Sequence, residues 1–169
     1  MLDSKIEVAL NQQINAEIWS GYLYLSMSFD MDSKGFEGMS SWFAIQAKEE
    51  FDHAARFIKF ITGRDGKVAL MPIEGVKQEW GAPKDVFEDT KKHEKVITGK
   101  INNLMDLAVE LRDYATQNML KWFIDEQVEE EATVRKILEK LKRVEGSPAA
   151  LYELDKELGA RQIIAEPVN

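Results

Sequence analysis

The sequence predicts an all-α protein: four long amphipathic helices and a short fifth. Three observations carry this. Four stretches repeat apolar residues at alternating three- and four-residue spacing. Helix start and stop residues bracket each stretch. No segment alternates apolar and polar residues for long enough to read as a strand.

Each element follows from its own punctuation. Ser4-Lys5-Ile6-Glu7 is a capping-box sequence, so the first helix is expected to start near residue 5 and run to about Ser33, before Gly35. The second spans about Gly38 to Thr62, with Gly63 as its C-terminal glycine. Gly66, Pro72, Gly75 and Gly81 mark residues 66–82 as a loop. Pro83 suits the first position of a third helix ending near Leu111. Asp113 caps a fourth that ends near Val144, before Gly146. Ser147-Pro148 opens the short fifth, to about Leu158. No composition break divides the chain, so residues 1–169 read as a single domain with 159–169 as a flexible tail.

The loop is unusually long. A helix of ~27 residues measures about 40 Å, and ~17 extended residues reach roughly 56 Å. The loop is therefore long enough to cross the full length of a bundle and join two parallel helices.

The buried seams carry the chemistry. The first reads Ile6, Leu10, Gln13, Glu17, Ser20, Tyr24, Met27, Met31, and the second Phe43, Gln46, Glu50, His53, Phe57, Phe60. The third reads Phe87, Thr90, Glu94, Ile97, Ile101, Leu104, Ala108, Leu111, and the fourth Leu120, Phe123, Gln127, Glu130, Val134, Ile137, Leu141, Val144. Each is apolar at both ends and polar at one level. Glu17, Glu50, Glu94 and Gln127 lie roughly 10–13 residues into their helices. Side-by-side packing would gather four carboxylates (Glu17, Glu50, Glu94, Glu130) with His53, Gln127 and Tyr24. A buried carboxylate needs a partner or loses its charge. The seams hold no Lys or Arg, so divalent metal ions are the fitting partners. Carboxylate plus imidazole suits iron or manganese. Glu50-Phe51-Asp52-His53 places Glu and His three apart, on one helix face.

Composition narrows the field. The chain has 169 residues, 44% hydrophobic and 31% charged, with no cysteine. Disulfides, thiolate catalysis and iron–sulfur clusters are excluded. A net charge of −8 argues against nucleic acid and fits a surface that attracts cations. No stretch approaches the ~20 apolar residues of a membrane span. The first residues show no signal-peptide core. The expected location is the cytoplasm.

Glu17 with Tyr24, Glu49-Glu50-x-x-His53, Lys92-His93-Glu94 and Glu126-Gln127-x-Glu129-Glu130 resemble the bacterial non-haem ferritins. The resemblance covers about residues 1–158, including Phe36-Glu37-Gly38 and Leu154-Asp155-Lys156-Glu157-Leu158. It implies a four-helix bundle with one long crossover connection and a short fifth helix near a four-fold axis. It implies a homo-oligomer, a hollow cage of 24 subunits, which oxidises Fe(II) with O2 or H2O2 and stores ferric mineral. Glu17, Glu50 and His53 would then hold one iron. Glu50, Glu94 and Glu130 would hold the second, with Glu50 bridging. Gln127 would lie beside the pair, and Tyr24 would donate a hydrogen bond and supply an electron. Glu49, Glu126, Glu129 and Glu130 would form a third iron position. Trp122 is expected to pack, or else to donate an electron, and His93 to lie at the surface.

Three other readings stand beside this one. A haem-binding bacterioferritin would carry a second Glu-x-x-His on the fourth helix, where Gln127-Val128-Glu129-Glu130 stands, and a haem methionine where Asp52 stands. No haem is therefore expected. A di-iron oxygenase would also use two such motifs, with a substrate pocket. A purely structural bundle would bind no metal.

Overall fold

A computed structural model of the chain describes residues 2–162. Its elements are α1 (Ser4–Ser33), α2 (Glu37–Gly63), α3 (Pro83–Glu110), α4 (Tyr114–Arg143) and α5 (Pro148–Gly159), with no strand among the described residues. Within these helices the seam residues are buried, apart from Phe60, which is half-buried. Leu111 and Val144, just past their helices, are half-buried as well.

The core divides into two apolar halves. One joins the start of α1 (Ile6, Leu10, Ile14), the end of α2 (Phe57, Ile61), the second half of α3 (Ile97, Ile101, Leu104) and the start of α4 (Leu120, Phe123). The other joins the end of α1 (Met27, Met31), the start of α2 (Met39, Phe43), the start of α3 (Val86, Phe87), the end of α4 (Val134, Ile137, Leu141) and α5 (Leu154, Leu158). The chain therefore runs up α1, down α2, down α3 and up α4. Parallel α2 and α3 require the connector to cross the whole bundle.

Side chains of α1 hold that crossover along its length. Glu7 accepts from Lys67 N at 2.9 Å, and Asn11 donates to Lys67 O at 2.9 Å and accepts from Ala69 N at 2.8 Å. Further on, Ser26 donates to Lys77 O at 2.7 Å and Asp30 accepts from Trp80 N at 3.3 Å. Irregular backbone of this length needs such partners, because it supplies few of its own.

Three boundary expectations change. Asp3, not Ser4, caps α1, accepting from Lys5 N at 2.8 Å, and Glu7 serves the crossover instead of a capping box. Gly63 ends α2 without a left-handed turn; Asp65 adopts φ 58° instead, a conformation that short polar side chains tolerate. The expected free tail begins differently too. Gly159 is the last residue of α5, and Arg161 is tied to α2. The rest of that segment, 163–169, lies outside the described residues.

The fifth helix completes the second. Phe36 gives no side-chain cap to α2, and Asp155 of α5 supplies one, accepting from Gly38 N at 3.0 Å and Met39 N at 2.8 Å. The approach is close enough to require glycine. A Cβ on Gly38 would stand 1.8 Å from Asp155 O.

Candidate metal centre

Between the two apolar halves lies one polar layer. Glu17, Glu50, His53, Glu94, Gln127 and Glu130 are all buried there, one level contributed by each long helix. The spacing explains it: each replaces an apolar residue at the middle of its seam, so it points inward as its neighbours do.

The tightest group is Glu17, Glu50 and His53, whose possible ligand atoms lie within 4.8 Å of one another. His53 Nδ1 is 3.4 Å from Glu50 Oε2. Glu17 Oε1 accepts from Gln13 Nε2 at 2.8 Å. Glu17 Oε2 is buried without a hydrogen-bond partner, a costly arrangement for an acceptor unless a cation completes it.

Glu94 and Glu130 stand outside that group, which narrows the expected four-carboxylate cluster. Their oxygens are turned to neutral donors. Glu94 accepts from the Tyr24 hydroxyl and from Gln127 Nε2 at 3.1 Å. Glu130 accepts from Gln46 Nε2 at 2.8 Å. Glu50 still feels both of them electrostatically. Gln13 and Gln46 are thus part of the site. Their seam positions were a readable signal, since a polar residue on a buried seam needs a polar partner.

The charges are strained. Burial, then the charge of Glu50, pushes the Glu17 carboxyl well above its ordinary range. Burial and the neighbouring Glu94 and Glu130 do the same to Glu50. Burial, then Glu94, raises Glu130 to about 8. Glu94 also rises through burial, although Tyr24 and Gln127 oppose the shift. Desolvation and the adjacent Glu94 raise the Tyr24 phenol, so it stays a donor. Carboxyls that reject a proton only reluctantly, packed without apolar relief, suit a multivalent cation: it supplies the missing positive charge and takes the orphaned oxygen. Hard anionic oxygen with one imidazole is the donor set of iron or manganese.

Around this layer the remaining candidates separate. Glu49 is half-buried and joined to Arg161 at 2.5 Å; Glu126 is half-buried; Glu129 is exposed. Trp122 packs edge-on to His53, ring centres 5.4 Å apart, under the Arg56 guanidinium at 3.9 Å. His93 is not the surface residue expected from its place off the seam. It is half-buried, its Nε2 lies 2.7 Å from Ser20 Oγ, and its ring packs on Trp19 and Tyr24. Burial and, after it, Lys100 hold its pKa down to about 4. A helix leans over its neighbours, so a residue one step off the seam can still be covered.

Comparison with known proteins agrees with this fold. Residues 7–144 match the family model described as a ferritin-like domain. A bacterial non-heme ferritin of Bacteroides fragilis (strain 638R) is 40% identical over 161 residues, covering 95% of this chain and 100% of the relative. A probable bacterial non-heme ferritin-like protein of Haemophilus influenzae is 36% identical over 159 residues, 94% of this chain and 96% of that one. Among solved structures, an open pore ferritin from the hyperthermophilic archaeon Archaeoglobus fulgidus superposes with a TM-score of 0.95 at 44% identity, covering 96% of this chain and 100% of that one.

Proposed function

This chain belongs to the ferritin family, and on that premise we propose that it stores and detoxifies iron, oxidising Fe(II) inside each subunit and depositing ferric mineral in a hollow homo-oligomeric cage of 24 copies. Glu17, Glu50 and His53 bind one Fe(II), and Glu50, Glu94 and Glu130 bind the second, with Glu50 shared. The observation that carries this reading is Glu17 Oε2, an orphaned buried oxygen within a Glu–Glu–His group whose ligand atoms lie within 4.8 Å.

The chemistry follows from the donors. Anionic oxygen ligands stabilise Fe(III) over Fe(II). Two Fe(II) side by side give up one electron each, which with two protons reduces O2 to H2O2, or H2O2 to two waters. Glu130 turns from Gln46 to bind iron, and Tyr24 and Gln127, by donating to Glu94, keep that carboxylate aimed at the centre while its remaining lone pairs bind the metal. Gln127, beside the pair, would bind the oxidant. Glu49, Glu126, Glu129 and Glu130 offer a third iron position on the way out. The whole chain acts as a single ferritin-like domain, in the cytoplasm and without haem, nucleic acid or membrane. No helix among the described residues is long and apolar enough to cross a membrane.

The test is Glu50→Ala combined with His53→Ala. Fe(II) added without oxygen and then exposed to air should oxidise far more slowly than in wild type, in a particle of unchanged size. Wild type should retain iron far beyond two per chain. Equal oxidation rates in the two proteins refute the site. Retention that stops at about two irons per chain, with no mineral, points instead to a di-iron oxygenase.

A further inference from the structure

Arg161 brings a guanidinium to the rim of the carboxylate layer from just beyond α5. Its Nη2 lies 2.5 Å from Glu49 Oε2, and its Nη1 donates to Gln46 Oε1 at 2.8 Å. The same group sits 4.8 Å from the centre of the Trp42 ring. Gln46 passes the contact inward, donating Nε2 to Glu130 Oε1 at 2.8 Å. One cation is therefore bound directly to Glu49 and, through a single amide, to Glu130. Both ends of the Arg161–Glu49 pair are 24% exposed, so solvent reaches them.

Two consequences follow from donor arithmetic. A guanidinium only donates and does not lose its proton, so at Glu49 it occupies a lone pair of Oε2 and sets a fixed positive charge against any divalent cation that binds there. It also fixes the Gln46 amide. With the oxygen facing Arg161, the NH2 must face Glu130, and it occupies a lone pair that a cation would otherwise take. Release of Arg161 frees Glu49 and lets the amide turn.

We propose that Arg161 is a resident, displaceable counter-cation of Glu49 that sets how tightly a third divalent cation binds beside the Glu17–Glu50–His53 centre. This rests on the di-iron reading for the identity of the first two cations. A plain anchoring role for Arg161 would hold the end of α5 in place and leave metal occupancy at Glu49 unchanged.

The experiment uses Zn(II), which is redox-inert, on the full assembled protein. Occupancy at Glu49 is read from anomalous scattering across a Zn(II) concentration series, with total binding from equilibrium dialysis. Arg161→Ala should tighten the cation at Glu49 roughly tenfold, the scale of one lost charge-assisted hydrogen bond, and Arg161→Lys should fall between it and wild type. Adding Glu49→Gln to Arg161→Ala should abolish the gain. Equal occupancy at Glu49 in wild type and Arg161→Ala overturns the proposal, as does a gain that survives Glu49→Gln. Absence of Zn(II) at Glu17, Glu50 and His53 in wild type overturns the di-iron reading instead, while the Arg161→Ala difference at Glu49 still decides the role of Arg161.

Discussion

Loading the centre should release protons in a number set by the buried carboxyls. At pH 7 a group raised to about 8, as Glu130 is, is protonated in about nine molecules of ten. A divalent cation needs the carboxylate, so binding expels that proton. Glu130 alone then contributes about 0.9 proton per chain. Glu17, raised by burial and then by the charge of Glu50, and Glu50, raised by burial and then by Glu94 and Glu130, add to it. Total release should exceed one proton per chain for Zn(II), which avoids the acid produced by iron hydrolysis. Calorimetric titration in two buffers of different ionisation enthalpy counts those protons directly. Glu130→Gln should lower the count by about one. Raising the pH from 7 to 9 should bring the Glu130 share down to about 0.1. A count near zero for wild type at pH 7 would mean that the carboxylates are already ionised, and the electrostatic account of the site would be wrong.

The same shifts set the stability of the metal-free protein. A folded carboxyl above its unfolded value of 4.5 binds protons more tightly when folded, so its contribution is complete below about pH 4.5 and is lost as pH rises through about 8. The unfolding free energy, and with it the unfolding midpoint, should therefore fall between pH 5 and pH 8, the free energy by an amount on the order of a few kcal/mol per chain. Zn(II) should restore it, and a midpoint that rises across this window would contradict the sign. Gly38→Ala tests the α2–α5 contact. Its Cβ would stand 1.8 Å from Asp155 O, where backbone must move. The loss should be about 2–3 kcal/mol in chemical denaturation, and an unchanged midpoint would show that α5 is not seated as described.

The sequence by itself determined the helices and the level at which their seams turn polar. Both are local. A 3.6-residue period places Glu17, Glu50, Glu94 and Gln127 inward whatever the neighbouring helix is, and glycine or a capping side chain marks each end near where it falls. Burial of those residues was legible because an apolar seam interrupted once must still be buried on either side. What the tertiary structure decided are the partners. That Tyr24 meets Glu94, that Gln46 meets Glu130 and that Asp155 caps α2 depends on pairs 70, 84 and more than 100 residues apart. The crossover direction was only allowed by loop length; the two apolar halves, each mixing opposite helix ends, fix it. His93 and Arg161 escaped the pattern for the same reason. Neither lies on a seam, and each gains its role from a neighbour that periodicity cannot name: Ser20 of α1 for one, Glu49 of α2 for the other.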